Sequence, residues 1–168
     1  MNNINRLGIL PCVIAAMLGY GSLSIAAEPT PDQVLVLPSN LACEFPLQIE
    51  IWEIHPNVIR EFKDKNGFVR SLSAGKGSAL RFTNLDNNKT FSTRPNGSVL
   101  HTTTYQSDGS YTQTNTGHTI LILFPTDVPA GPSTTLHVGR VVYTSDIDNN
   151  FNVIKESNNQ TDICAAIE

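Results

Sequence analysis

The sequence lacks the short motifs that mark common enzyme chemistry. It has no Gly-x-Ser-x-Gly nucleophile elbow and no His-Glu-x-x-His zinc motif, and Gly75-Lys-Gly-Ser78 lacks the preceding glycine and the spacing of a phosphate-binding loop. A carboxylate pair for glycoside hydrolysis has three candidates, Glu44, Glu50 and Glu53, and no spacing favours one pair over another. The sequence therefore predicts no catalytic residue.

Positive charge is also scarce. The chain has 11 Lys and Arg residues against 15 Asp and Glu residues, and every acidic residue follows Ala27. Without the first 27 residues, which contain Arg6, the net charge is −5. A nucleic-acid partner would require a basic face, so this balance argues against one.

Cysteine occurs only three times, at Cys12, Cys43 and Cys164. No Cys-x-x-Cys spacing is present, so thiol-exchange catalysis is not indicated. Cys12 lies in an apolar leader, and in an oxidising compartment the other two have one intramolecular pairing open to them. We predict a Cys43–Cys164 disulfide that serves as a staple, the alternative being two free or intermolecular thiols.

The first 27 residues have the pattern of a signal peptide. A short polar start with one positive charge precedes a mostly apolar stretch, Leu7 to Leu23, and the small residues Ser24 to Ala27 offer a cleavage site. Two alternatives are an uncleaved anchor, against which Pro11 argues, and a lipid-modified Cys12. We therefore expect a secreted protein, extracellular or periplasmic, with no stable membrane span once the leader is removed.

The rest of the chain predicts one all-β domain. Residues 28–42 contain three prolines and one short apolar run, Val34 to Leu37, and are interpreted as a tether or lead-in strand. From 43 to 168 the hydrophobic pattern has period two, broken by turn residues at intervals of about eight to twelve residues. No long helical stripe interrupts it, so an antiparallel sheet structure is indicated.

Individual strands follow from this alternation. Phe45 to Ile54 places Phe45, Leu47, Ile49 and Ile51 on one face and Trp52 on the other. A hairpin around Asn66-Gly67 is expected to use a three-residue loop, because a two-residue turn would set Lys63 opposite Arg70. Further strands are predicted at Ala79–Asn84, Lys89–Thr93, Ser98–Tyr105, Tyr111–Phe124, Thr135–Thr144 and Phe151–Glu156. Compact hairpin turns are predicted at 86–88, 95–97 and 108–109, and a longer loop, most simply a strand crossover, at 125–134.

The end of the chain predicts a short helical turn, which Asp162 would cap and Cys164 would pin to the first core strand. Sequential hairpins whose first and last elements are held together suit a single antiparallel meander. It would form a closed barrel or a two-sheet sandwich, and we favour the barrel slightly.

The most unusual stretch is a Thr-rich hairpin, His101 to Thr116, that is polar on both faces. A turn at Asp108-Gly109 would set Tyr105 opposite Thr112 and His101 opposite Thr116, with His118 diagonal to His101. Imidazoles, hydroxyls and aromatic rings together can bind a sugar. The candidate ligand-binding residues are His101, Tyr105, Tyr111 and His118, for a carbohydrate or small molecule, and the alternative is a solvated arm.

Metal sites are not indicated. His101 and His118 have no identifiable third ligand, and a zinc site needs three or four. Asp146 to Asn150 begins like a calcium loop, but Phe151 stands where glycine is needed, so a hairpin turn is favoured. We predict no metal and no cofactor. Trp52, the single tryptophan, is interpreted as a stacking platform or as a seal over one end of the core.

Several fragments together resemble a group of small secreted bacterial proteins. The fragments are Ala42-Cys-Glu-Phe-Pro46, Asn66-Gly67, Arg94-Pro-Asn-Gly-Ser98, Gly117-His-Thr119, Gly139-Arg-Val-Val142 and Asp162-Ile-Cys-Ala-Ala166. That group shares a Cys-x-Phe-Pro start, a Gly-Arg strand and an Asp-x-Cys-Ala-Ala end. The resemblance implies a recurring pair of cysteines and carries over no activity or functional residue.

The sequence thus favours a secreted, non-catalytic β domain that binds a ligand or associates with a surface. A small secreted hydrolase, whose acid and base are distant in sequence, is the first alternative. A structural or assembly component is the second.

Overall fold

The computed structural model describes residues 29–52, 58–95 and 99–168. The predicted signal peptide therefore lies outside the described residues, as do Glu53, His55 and residues 96–98, which include most of the turn predicted at 95–97. In the described part, no helix has the length and apolar character needed to cross a membrane.

The fold is all-β with one short helical turn, as the sequence predicts. In chain order the elements are β1 (Gln33–Leu37), β2 (Leu47–Trp52), β3 (Val58–Lys63), β4 (Val69–Gly75), β5 (Ala79–Asn84), β6 (Thr90–Thr93), β7 (Val99–Tyr105), β8 (Tyr111–Leu123), β9 (Ser133–Ser145), β10 (Phe151–Lys155), β11 (Asn159–Asp162) and α1 (Ile163–Ala166). The strands form two antiparallel sheets. Sheet A has the order β1-β2-β5-β6, and sheet B has the order β10-β9-β8-β7-β4-β3, with β11 also pairing with β9.

The main core lies between the two sheets. Leu47 and Ile49 of β2 and Phe82 of β5 point the same way and are buried, as period-two alternation predicts. Side chains from the second half of β8 and the first half of β9 pack against them, namely Ile120, Ile122 and Leu136. Full burial of a side chain such as Leu47 or Phe82 contributes about 1.5–3 kcal/mol, so this contact holds the sheets together.

The two-sheet sandwich replaces the closed barrel that was slightly favoured. The chain changes sheets after β2, after β4 and after β6, so it does not form a single meander. The link from β4 to β5 contains Gly77, whose φ of 74° allows the abrupt change of direction. The alternation of hydrophobic and polar residues is compatible with both architectures. It determines which face of a strand points inward, but not which sheet the strand joins.

Two connection predictions were wrong for the same reason. The stretch 95–97 was predicted as a compact hairpin turn, but it lies between β6 of sheet A and β7 of sheet B. The loop at 125–134 was interpreted as a crossover, whereas β8 and β9 pair directly from Leu123↔Ser133 onward. This loop is therefore a long hairpin connection. Turn residues predict where the chain bends, but they do not predict which strands become neighbours in a sheet.

Other local predictions are confirmed. Asp64 N–H donates to the Phe68 carbonyl at 3.0 Å, and Gly67 has a φ of 85°, which is the expected three-residue loop. The Asp146 to Asn150 segment is a hairpin turn in which Asp146 Oδ1 accepts from the Asp148 and Asn150 amides. The apolar run Val34 to Leu37 lies in β1, an edge strand paired with β2.

The disulfide and the helical turn are present as predicted. Cys43 and Cys164 are bonded, with their Cα atoms 5.6 Å apart. Asp162 Oδ1 accepts a hydrogen bond from the Ala165 amide at 3.0 Å and so caps α1. Ile163 and Ile167 are fully buried in the main core. The bond therefore holds α1 against the segment that leads into β2, at one end of the sandwich.

Candidate functional site

The predicted hairpin is formed by β7 and β8, but its register differs from the expected one by one residue. Gln106 N–H donates to the Ser110 carbonyl at 2.9 Å, so the loop is Ser107-Asp108-Gly109 with Gly109 at a φ of 91°. Asp108 Oδ1 stabilises it by accepting from the Ser110 amide at 3.0 Å. Tyr105 consequently pairs with Tyr111 and His101 with Asn115. A shift of one residue exchanges the two faces of the partner strand.

The two predicted tyrosines lie at the loop end of this hairpin. Their ring centroids are 6.2 Å apart and the rings are tilted by 59°. Tyr111 packs against a second buried cluster that contains Val141 and Tyr143, while Tyr105 is 44% exposed. The structure therefore places Tyr111 in a packing position and leaves Tyr105 at the surface.

The two predicted histidines line one cleft of about 440 Å³, here called the histidine cleft. It opens where β7 leaves β8: β7 pairs with β8 only as far as Thr116, and His118 and Thr119 follow on β8. Its polar wall comes from sheet B, and its apolar wall includes Ile51 and Leu80 of sheet A. The residues that line the cleft are Ile51, Leu80, Thr93, His101, Gln113, Asn115, His118, Thr119, Ile120, Leu136 and Tyr143, with Ser78 and Arg94 beside them.

A hydrogen-bond network lies along the polar wall. Asn115 Oδ1 accepts from Gln113 Nε2 at 3.0 Å and lies 2.6 Å from His101 Nδ1. Thr103 Oγ1 donates to Gln113 Oε1 at 3.2 Å. Paired residues of adjacent strands share a face, so the register Thr103↔Gln113 and His101↔Asn115 brings these groups together. The network fixes the side chains before any ligand arrives.

Two groups of the cleft have no hydrogen-bond partner among the described residues. Thr119 is 6% exposed, and its Oγ1 makes no hydrogen bond within the described residues. His118 likewise makes no hydrogen bond to another described group, although its side chain is half-buried. A buried hydroxyl without a partner costs about 1–3 kcal/mol.

The cleft has little formal charge. Among the described residues that line it there is no Asp or Glu, and Arg94 is the charged one. Burial raises the pKa of Tyr143 above its ordinary value, with a further contribution from Tyr111, while the Asn115 side chain acts in the opposite direction. Tyr143 is therefore a neutral hydroxyl at physiological pH.

A second cleft, of about 560 Å³, lies on the outward face of sheet A and is here called the tryptophan cleft. Trp52 Nε1 donates to the Pro29 carbonyl at 3.0 Å, and the Arg81 guanidinium lies 4.9 Å from the centre of the indole ring. Arg81 also forms a two-point ion pair with Glu50, at 2.5 and 3.1 Å. The hydrogen bond from Arg81 lowers the pKa of the Glu50 carboxyl despite its burial. Asp32, Ala79, Leu80, Ser92 and Thr93 complete the lining.

Groups of three or more His, Cys, Asp or Glu side chains placed to hold a metal ion are absent from the described part of the chain. His101 Nδ1 lies against an amide oxygen instead of a third metal ligand. The donor set around the two histidines, which consists of amides and hydroxyls, suits a polar organic molecule better than a transition metal.

Gln113, Asn115, Thr119 and Tyr143 were not predicted as site residues. A three-residue loop at Ser107-Asp108-Gly109, of the kind correctly expected at Gly67, would have placed Gln113 and Asn115 opposite Thr103 and His101. Turn geometry was therefore the available signal. The sequence carries no signal for Thr119 and Tyr143, because their positions depend on the pairing of β8 with β9 and on the stacking of the sheets.

Comparisons with models of protein families, with curated proteins and with solved structures found no match for this chain.

Proposed function

We propose that this protein is a secreted, non-catalytic carbohydrate-binding domain whose histidine cleft holds a neutral sugar. The observation that carries the proposal is the convergence of His101, His118, Gln113 and Asn115 on one cleft, in which His118 makes no hydrogen bond to another described group. The Cys43–Cys164 bond supports an oxidising compartment outside the cytoplasm.

The chemistry of the cleft suits a sugar. Each hydroxyl of a sugar can both donate and accept, and amides, imidazoles and hydroxyls supply both functions. The C–H faces of a sugar ring need apolar contacts, which Leu80, Ile120 and Leu136 offer within the same cleft. The low charge of the lining favours a neutral ligand over an anionic one.

The positions of Glu44 and Glu50, the two carboxylate candidates that the structure describes, favour binding over hydrolysis. Glycoside hydrolysis uses two carboxyl groups that flank one bond. Glu50 is ion-paired with Arg81, and Glu44 lines a different depression beside Cys164. Neither of these candidates lines the histidine cleft.

Screening on a glycan array followed by titration calorimetry tests the proposal. His118→Ala is the most informative variant, because it removes a lining group that makes no hydrogen bond within the described protein. We expect His118→Ala and His101→Ala each to weaken binding about tenfold, which corresponds to roughly 1.4 kcal/mol. Tyr105→Ala is the matched control, since this exposed ring lies outside the cleft, and it should leave the affinity unchanged.

Two results would count against the proposal. If no glycan binds, the protein is not a carbohydrate-binding domain of this kind. If Tyr105→Ala abolishes binding while both histidine variants retain it, the hairpin tip and not the cleft is the binding site.

A further inference from the structure

We infer that the protein forms a symmetric dimer through the outer edge of β1, with a second copy of the chain as the occupant of that edge. The two copies of β1 pair antiparallel and join their sheets A into one sheet. This dimer goes beyond the proposed function, because its formation does not require a ligand in the histidine cleft.

Three of the four strands at the ends of the two sheets are protected against further pairing. β3 carries charged side chains at three of its six positions, and β6 has four residues, two of which expose hydroxyl side chains. The edge of β10 is covered by Val128, whose backbone forms hydrogen bonds of 2.7 Å with Phe151 and Val153. Charge, short length and cover are ways in which natural proteins prevent edge-to-edge pairing of sheets.

The fourth end strand, β1, has no such protection. Within the described residues it pairs with β2 alone, and no charge, bulge or proline interrupts Gln33–Leu37. Val34, Leu35 and Val36 are 49%, 39% and 58% exposed. An edge strand also presents backbone N–H and C=O groups outward. The outer edge of β1 is therefore suited to pairing with another strand.

The sequence of β1 is nearly symmetric about Leu35. Where a two-fold axis normal to a sheet relates two antiparallel strands, residues that lie directly opposite share a face, so the axis passes beside one residue. An axis at Leu35 sets Leu35 opposite its own counterpart and Val34 opposite Val36. The valines then meet on the outward face, and the leucines meet on the face that Ile49 buries in the core.

Two prolines select this register. Pro31 and Pro38 flank β1, and a proline has no N–H to donate to a ladder. Moving the axis by one residue in either direction would bring one of these prolines opposite a residue of β1. The axis at Leu35 keeps both prolines outside the five-residue ladder.

The symmetry fixes the arrangement of the dimer. An axis normal to sheet A preserves the two faces of the sheet, so both copies of sheet B and both histidine clefts lie on the same side of the joined sheet. A ladder of five residues buries less area than an interface of standard size. Since interfaces of standard size range from micromolar to picomolar affinity, we expect a weaker dimer, with a dissociation constant of about 10–100 μM.

Sedimentation equilibrium of the folded, disulfide-bonded protein, from micromolar to millimolar concentration, measures the dimer. The double variant Val34→Lys, Val36→Lys places lysines opposite each other and should weaken the dimer at least about tenfold. The double variant Val34→Lys, Val36→Glu places opposite charges together in the same register and should restore the dimer. Thr90→Lys, on the edge strand at the other end of sheet A, is the control and should dimerise as the wild type does.

A cross-linking variant tests the register directly. Opposite Cα atoms of an antiparallel pair are about 4.5–5.5 Å apart, which lies within the range that a disulfide spans. Leu35→Cys, on the axis, should therefore cross-link two copies under mild oxidation. Val34→Cys should not, because it lies opposite Val36. Intact mass without reductant reports the product.

Several results would overturn the dimer. A wild type that stays monomeric up to millimolar concentration would leave the edge of β1 to an extended segment of another protein or to solvent. A dimer that survives the paired lysines would mean that the copies meet elsewhere. Failure of Leu35→Cys to cross-link, or equal cross-linking of Val34→Cys, would contradict the register. None of these results bears on glycan binding in the histidine cleft, which the array tests separately.

Discussion

His101 Nδ1 lies 2.6 Å from Asn115 Oδ1, an oxygen that already accepts a hydrogen bond from the Gln113 amide. An amide oxygen can only accept, so the hydrogen of this contact belongs to His101 Nδ1. In the neutral ring, Nε2 is then an acceptor and can receive a hydroxyl hydrogen from a ligand.

The first prediction is therefore a tautomer. Neutral His101 should carry its hydrogen on Nδ1, and the Asn115→Ala variant should lose this preference. Long-range ¹H–¹⁵N correlation spectra of the imidazole, recorded well above pH 7, report which nitrogen is protonated. A spectrum dominated by the Nε2–H form in the wild type would contradict the orientation of the network.

Asn115 is also expected to matter for stability. It is 3% exposed, and its removal leaves Gln113 and His101 without their shared acceptor. We expect Asn115→Ala to lower the free energy of unfolding by about 2 kcal/mol, measured by urea titration. Thr112→Val is the control on the same strand, since the Thr112 hydroxyl makes no hydrogen bond in the described part of the chain, and it should change stability by less than about 0.5 kcal/mol.

The sequence predicts more of the fold than of the site. Strand positions follow from local alternation, which is why Leu47 and Ile49 were correctly assigned to one face of a strand, the face that is buried in the core. The strand β11 escapes prediction because Asn159 to Asp162 is polar and exposed, and is held only by its pairing with β9. A barrel and a sandwich differ in which distant strands pair with each other, and the local hydrophobic pattern does not determine that pairing.

The histidine cleft depends likewise on strand register and on packing between parts of the chain that are distant in sequence. His101 and Asn115 meet only in one of two registers that differ by a single loop residue. Leu80 and Thr93 contribute to the histidine cleft only because sheet A packs over sheet B. The residue types in the polar hairpin therefore indicated a binding surface, while loop geometry and sheet stacking determine which of them share a cleft.

His137 predicts a pH dependence of stability. It is 1% exposed, its Nδ1 makes no hydrogen bond within the described residues, and burial lowers its pKa although Glu156 acts in the opposite direction. Below about pH 6.5 the unfolded chain binds a proton that the folded protein resists, so stability is complete above that pH and falls as the pH decreases toward the folded-state pKa.

Urea titrations between about pH 7 and pH 5 measure this effect. The free energy of unfolding of the wild type should fall over this range, and His137→Gln should flatten the fall. Equal slopes for wild type and His137→Gln would show that another group titrates.

The disulfide is predicted to be a staple whose loss loosens the end of the sandwich. Replacement of both cysteines by alanine, or reduction, should cost about 2–5 kcal/mol. Because Ile163 and Ile167 are buried against Ala42 and Phe45, hydrogen exchange should rise first in α1 and β11. Urea titration with and without reductant checks the energy, and the alanine variant should not respond to reductant. An unchanged midpoint on reduction would contradict the prediction.

Asp127 fastens the long β8–β9 loop to the start of β10. It is 4% exposed, and its two carboxylate oxygens accept from two backbone amides, those of Phe124 at 2.5 Å and Phe151 at 2.6 Å. Asp127→Ala would leave both amides without this acceptor, so we expect a loss of about 3 kcal/mol in the free energy of unfolding. Asp148→Ala is the matched control, since Asp148 is exposed and its carboxylate accepts no hydrogen bond among the described residues, and it should cost less than about 0.5 kcal/mol. Equal losses in the two variants would mean that the carboxylate does not hold the loop, and that the Val128–Phe151 and Val128–Val153 backbone hydrogen bonds suffice.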